Sequence, residues 1–336
     1  MDSQEKGLYG LIISALVGIA GYGIHVLARS PAAEPLVISL LLGIIIRAIL
    51  PDIGDLRNGL SLPVKVFIPI GLIFYSAHNL NLTIFMESQP NIIIVLIMVM
   101  LSYFISTIIT GRLLKQRRQI TYLIANGSAI CGASAIIITS PAIDAEPDDV
   151  SISLLSVTIA AMTGAFIIFP FLATTFSMTD MTYSILSGAV IQITGFIRIA
   201  MRNISYTERV VSGWQILPLV FSIKAMKYLG LFLSIPIFTS IMKKRLSIPY
   251  VLWIFLVSGI IGTLIFRYNE PFYNDLMPHV ISPLHKVSWS IALSAIGLNA
   301  DINRLLSDSG IKALVMAFVG LSSAIIIFFI ASYILL

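Results

Sequence analysis

The stretch 125–149 reads "ANGSAICGASAIIITSPAIDAEPDD". Asn126, Gly127, Ser128, Gly132 and Ser134 fall within nine residues of it, together with Cys131, the chain's one cysteine. An apolar run follows, then Pro141 and an acidic cluster. The stretch is too small and polar for a helix facing lipid and too apolar for a loop. An unsatisfied backbone group in hydrocarbon costs several kcal/mol, so irregular backbone at membrane depth needs protein or a water-filled cavity to receive it. Glycine lowers the cost of leaving helical geometry. Ser and Asn offer local hydrogen bonds that compete with the helix ladder. Two readings follow. One is a discontinuous helix whose half-helices meet near the midplane with free amides aimed at a ligand, closed by Thr139, Ser140 and Pro141. The other is a small-residue face for close helix packing, which the pairs Gly127/Cys131 and Ala129/Ala133 fit.

A second group is Lys224 and Lys227, deep in "LPLVFSIKAMKYLGLFLSIPIF". Three apart, they share a helix face. Ionisable groups inside a membrane are costly and mark functional sites. The alternatives are snorkelling to the interface or pairing with a loop acid. All sixteen Asp and Glu fall in expected loops or helix ends. A transported cation or proton needs a counter-charge in low dielectric, so this placement argues against cation antiport. His25, His78, His279 and His285 form no metal-ligand spacing. No P-loop, dinucleotide fingerprint or nucleophile elbow occurs, so an enzyme is not expected, nor a cofactor.

The elements that must position these residues are membrane helices. The chain has 336 residues, 57% hydrophobic and 11% charged, with mean hydropathy +0.97. A soluble domain carries about 25% charged residues. Eleven apolar segments are long enough to span, near 8–28, 35–50, 62–80, 91–113, 119–143, 150–173, 181–201, 212–240, 249–267, 281–299 and 311–336. The first has no small-residue cleavage site behind it and reads as a retained helix. No loop is large enough for a second domain, so residues 1–336 form one transmembrane domain. The net charge of +5 reflects loop Lys and Arg rather than nucleic-acid binding. With the N-terminus inside, thirteen Lys and Arg lie inside, six lie outside, and Lys224 and Lys227 lie within the eighth segment. "KQRR" and "KKR" then share the cytoplasmic side, "DAEPDD" lies opposite, and the C-terminus is outside. Arg198 reads as an interfacial anchor. "SAHNLNLTIF" (76–85) and "SAIGLNADIN" (294–303) match at five of ten positions, at the ends of the third and tenth segments. Helices seven apart run in opposite directions, the pattern of an inverted repeat.

"GSAICGASAI" (127–136), followed by "SPAIDAEPDDVSISL", resembles the signature of the YeiH-like membrane proteins, a sulfate-exporter family. "LLGIIIRAI" (41–49), "GLIFYSAHNLNL" (71–82), "SIKAMKYLGLFLSIP" (222–236) and "SAIGLNADINRLLSDSGIKAL" (294–314) resemble it more loosely and in order. That family is similar in turn to sodium/proton antiporters and bile-acid symporters. The resemblance implies a core of crossed, broken helices beside a panel domain, with 119–143 as the first discontinuous core helix and 181–201 and 212–240 as second-half core helices. It also implies a bacterial plasma membrane and a homo-oligomer such as a homodimer. One departure stands out. Where relatives carry a Gly-x-x-Ile-His-Asp-Thr-x-Gln-Val-like run, this chain has "GAVIQITGFIRIA" (188–200), with Gln192 in place of His, Ile193 of Asp and Phe196 of Gln. The lysine of the next helix is kept as Lys224, with Lys227 close.

The expected function is a secondary transporter that moves a small anion by alternating access. The sulfate- or sulfonate-like character of that anion rests on the resemblance alone. The expected substrate site is Asn126, Gly127, Ser128, Cys131, Gly132, Ser134, Gln192, Thr194, Lys224 and Lys227. Half-helix N-termini favour anions, and the two deeply placed charges are positive. A carrier of a neutral or organic solute coupled to sodium or protons stays open, as does a receptor or channel-like protein.

Overall fold

The computed structural model describes residues 3–29, 33–49, 59–80, 90–193, 196–197, 200–201, 210–211, 214–244, 250–300, 303 and 307–335. The fold is all-α and polytopic, apart from a two-residue ribbon, β1 Val210–Val211 paired antiparallel with β2 Trp214–Gln215. Each of the eleven apolar segments holds at least one helix. They are α1 Ser3–Ala28, α2 Pro35–Ile49, α3 Ser61–Asn79 and α4 Pro90–Leu113. Then come α5 Arg118–Asn126 with a π turn Gly127–Cys131, and α6 Ala133–Thr139 with a 3-10 turn Ser140–Ile143. The sixth segment is α7 Pro147–Thr163, a π turn and α8 Phe169–Thr175. The seventh begins with α9 Asp180–Val190, and the eighth is α10 Ile216–Lys227 and α11 Gly230–Lys243. The last three are α12 Tyr250–Tyr268, the joined α13 Glu270–Leu276 and α14 Ser282–Asn299, and α15 Asp308–Leu335.

Two segments do not cross. In a straight helix Asn126 and Thr139 would stand about 20 Å apart. Instead Asn126 Nδ2 donates to Thr139 Oγ1 at 2.8 Å. Arg117, before α5, reaches Glu146 at 3.2 Å and Asp149 at 3.1 Å, beyond α6. Residues 118–143 therefore enter the membrane, turn and leave by the same face. The second case is 180–201. Tyr183 Oη donates to the Ala200 carbonyl at 3.3 Å, where a continuous helix would separate them by about 25 Å. Both are re-entrant hairpins; among the described residues six helices are long and apolar enough to cross a membrane, and Pro35–Ile49 and Leu252–Tyr268 are shorter apolar helices.

This corrects the sequence-based topology in one place. "DAEPDD" lies on the same face as "KQRR" and "KKR", not opposite, because Asp144 also pairs with Lys243 at 3.4 Å. Acids gather there because α7 begins there: Asp148 and Asp149 sit in its first turn, where the helix dipole favours negative charge, and Glu146 and Asp149 close a capping box. The hairpins enter from opposite faces, so removing two crossings leaves the side of every basic cluster unchanged.

Two groups of helices stand side by side. In the first, α14 packs on α1, α2 and α3, and α12 packs on α3. Trp289 Nε1 donates to the Ile68 carbonyl at 3.1 Å, and the His78 and His285 rings lie 6.5 Å apart, so α3 and α14 are antiparallel. The second group is built on the antiparallel pair α4 and α15. Its ends are tied by Asn91 to the Leu335 carbonyl at 2.9 Å and by Gln116 to the Ser309 carbonyl at 2.6 Å. Both hairpins, α7 and α10 pack against this pair.

The internal repeat is visible in the first group. A Cβ on Gly43 of α2 would strike Ser294 and Leu298, and one on Gly262 of α12 would strike Ala77. The register that lays 76–85 on 294–303 lays Ala77 on Ala295, Leu80 on Leu298, and Gly43 one residue from Gly262. Thus α2 meets α14 as α12 meets α3, with direction reversed.

Candidate functional site

Hairpin one reverses at Gly132. The π turn before it is closed by Gly132 N donating to the Gly127 carbonyl at 2.8 Å. Gly132 itself has φ 66° and ψ −123°, backbone that L side chains rarely adopt. The helix is discontinuous, as the first sequence reading has it. The small residues also pack: a Cβ on Gly127 would press on Ile136 of the returning arm. Hairpin two reverses beyond Val190, where Ile191 turns extended with φ −68° and ψ 130°.

The two tips meet. A Cβ on Gly132 would lie 2.9 Å from Ile193 Cγ1 and 3.6 Å from Gln192 Cβ. The arms leading to the tips, Arg118–Cys131 and Asp180–Val190, are about 21 Å and about 17 Å long, so arms from opposite faces together cover most of a bilayer. Asn126, Gly127, Ser128, Cys131, Gly132, Ser134, Gln192, Lys224 and Lys227 are all buried, Ser134 the most accessible at 9%. Thr194 and Arg198 lie outside the described residues.

The lysines do something the sequence did not disclose. Lys227 Nζ donates to the Ala189 carbonyl at 2.8 Å, and Lys224 Nζ donates to the Gln192 carbonyl. Tyr103 Oη, from α4, donates to the Val190 carbonyl at 3.0 Å and accepts from Gln192 Nε2 at 2.7 Å. The last carbonyls of a helix have no partner within it, and they carry the negative end of its dipole. Lys227 and Tyr103 satisfy two of them here, and Lys224 takes the Gln192 carbonyl just beyond the helix end. Neither lysine snorkels to an interface, and each retains donors beyond the described bond.

On the other side of the tip, Tyr75 of α3 lies close to Ser134, Tyr228 and Cys131. Its ring lies 5.7 Å from that of Tyr228. Through Cys131 and the returning arm that holds Ser134, hairpin one touches α3 of the first helix group. Glu34, just before α2, lies within electrostatic reach of Lys286 and Lys224. Burial pushes its carboxyl above the usual range, against those two lysines. Ser128 Oγ, Asn126 Oδ1 and Gln192 Oε1 are buried polar atoms with no hydrogen-bond partner among the described residues.

Tyr75, Tyr103, Tyr228 and Glu34 escaped the sequence reading. Tyrosine in membrane helices reads as an interfacial anchor, and Glu34 reads as a loop residue. The usable signal was the need for donors opposite a helix C-terminus buried in hydrocarbon.

No solved structure matches the chain. A membrane protein of Archaeoglobus fulgidus, named for the UPF0324 family, is 27% identical over 317 residues, covering 94% of this chain and 90% of that protein. One from Bartonella henselae is 24% identical over 310 residues, covering 88% and 84%. One from Pasteurella multocida is 25% identical over 320 residues, covering 89% and 90%. The family model described as "Conserved hypothetical protein 698" matches residues 9–317. With that match over most of its length, the chain belongs to this membrane-protein family, the one its Cys131 motif resembles.

Proposed function

We propose that the protein is a secondary transporter that carries a small anion between the two hairpin tips by alternating access. One observation carries this reading. Two re-entrant tips, one with free polar atoms and one braced by two lysines, meet near the membrane centre. Irregular backbone at that depth is tolerated only where protein or a cavity receives it, and broken helices at the midplane are the recurring binding element of such carriers. Lys224 and Lys227 supply positive charge, and Ser128 and Ser134 supply hydroxyls. Movement of the hairpin group against the α3–α14 group would open the site to each face in turn. A sulfate- or sulfonate-like oxyanion is the first choice, from the family resemblance alone.

The basic clusters favour the cytoplasm for the face of "KQRR" and "KKR", which puts the N-terminus inside and the C-terminus outside. The relatives are bacterial and archaeal membrane proteins, which favours the plasma membrane. A homodimer is the simplest oligomer for this architecture.

The test is a thermal-shift screen of the purified protein against sulfate, sulfonates and other small anions, with and without sodium. Ligand stabilisation grows with concentration over Kd. An oxyanion should raise the melting temperature of wild type and leave Lys224→Met unchanged. Equal shifts in both proteins would overturn the site. A second reading rests on the acceptors Asn126 Oδ1 and Gln192 Oε1, both buried and unpartnered: oxygen ligands suit a hard cation such as sodium. Stabilisation by sodium alone, with no response to any anion, would favour a sodium-coupled carrier of a neutral solute.

A further inference from the structure

The geometry points to a site for an anionic phospholipid on the basic face, independent of the hairpin tips. Two cavities lie side by side there. One, of about 440 Å³, is lined by Arg112, Lys115 and Arg118 with Gln116, Thr121 and Tyr122. The other is an apolar groove of about 490 Å³ between α4 and the α10–α11 segment. Ile108 lines both. Phe238 of the groove and Tyr122 of the basic cavity are stacked, centroids 4.5 Å apart at 10°. The pair is amphipathic in the sense a lipid requires: cations at the helix ends and a continuous apolar trough leading from them into the membrane.

The charge is arranged for a ligand rather than for the protein. Within "KQRR", Arg117 turns to Glu146 and Asp149. Arg112, Lys115 and Arg118 are exposed and pair with no carboxylate among the described residues. Lys115 is left-handed with φ 52°. It ends α4 where Gln116 N donates to the Gly111 carbonyl at 2.9 Å and Lys115 N to the Arg112 carbonyl at 3.2 Å. That is a turn position glycine usually fills, yet this chain carries a cation there. Basic pockets between membrane helices on the cytoplasmic side bind anionic head groups. Arg118 is also the first residue of hairpin one, so a bound headgroup would touch the base of the element that bears the tip.

The experiment compares dioleoyl phosphatidylglycerol with dioleoyl phosphatidylcholine on the purified full chain in neutral detergent, by native mass spectrometry and melting temperature. The glycerol lipid should bind and stabilise at mole fractions where the choline lipid does not. Arg112→Gln, Lys115→Gly and Arg118→Gln should each weaken it about fivefold, and the triple variant about a hundredfold. Lys115→Gly keeps a residue suited to the turn, so its lipid-free melting temperature should not fall, which separates loss of binding from loss of fold. Dihexanoyl phosphatidylglycerol, with the same headgroup and short chains, should bind more weakly. Equal binding of the choline lipid, an unchanged triple variant, equal binding of the short-chain lipid, or reproduction of the shift by millimolar inorganic phosphate would each overturn the proposal.

Discussion

The two hairpins solve one problem by different means. Hairpin one is self-contained. Its arms are bonded to each other through Asn126 and Thr139, its base is closed by Arg117, and its reversal is a single glycine. Hairpin two depends on its neighbours: the carbonyls at its reversal are held by Tyr103 from α4 and by Lys224 and Lys227 from α10. One tip is stabilised by backbone conformation, the other by imported donors. The first should fail when its backbone freedom is removed. The second should fail when a distant side chain is shortened.

That contrast can be broken or sharpened in four ways. The largest effect is all-or-none and tests the hairpins themselves. Cysteines at Asp144 and Lys115 should be labelled by an impermeant thiol reagent from the same face, and a cysteine at Ser177 from the other. The buried Cys131 gives a silent background. Labelling of positions 144 and 115 from opposite faces would restore a spanning 118–143 segment. Next, Gly132→Ala places a Cβ 2.9 Å from Ile193 in a glycine backbone conformation. Strain of that kind costs about 1–3 kcal/mol before the clash, so a loss near the upper end is expected in thermal or SDS unfolding. Lys227→Met strips the Ala189 carbonyl of its donor, and an orphaned buried group costs about 1–3 kcal/mol. Lys227→Arg should recover part of it. Smallest, Thr139→Val removes the bond between the arms of hairpin one and orphans the buried Asn126 amide, for about 1 kcal/mol, the low end of the same range because the cut is one neutral bond. A larger loss than that of Lys227→Met would reverse the comparison.

The asymmetry also decides what was legible beforehand. Hairpin one announces itself through Gly127, Ser128 and Gly132, residue types that weaken a helix locally. Hairpin two has no such run: "GAVIQITGF" looks like an ordinary apolar helix, because its support comes from Tyr103 and Lys227, far away in sequence. Hydropathy counted both as crossings, since each arm pair is as long and apolar as a spanning helix. Charge asymmetry could not expose the mistake, because two hairpins entering from opposite faces restore the alternation of sides. Only the position of "DAEPDD" changes, and acids contribute little to orientation. The inverted repeat was readable from 76–85 and 294–303 because both ends of the match sit on helices that meet the same kind of glycine. The lysines were readable as special, though not as carbonyl partners, since nothing local names the helix end they face.

The chain's one thiol sits one residue before the reversal of hairpin one, sealed while the tips touch. We expect its alkylation by a small membrane-permeant maleimide to be slow while the tips touch and to quicken when they part. The rate of that reaction is therefore a clock for opening, built into the unmodified protein. On the transport cycle proposed above, a solute that holds the tips together would slow it and one that drives them apart would speed it.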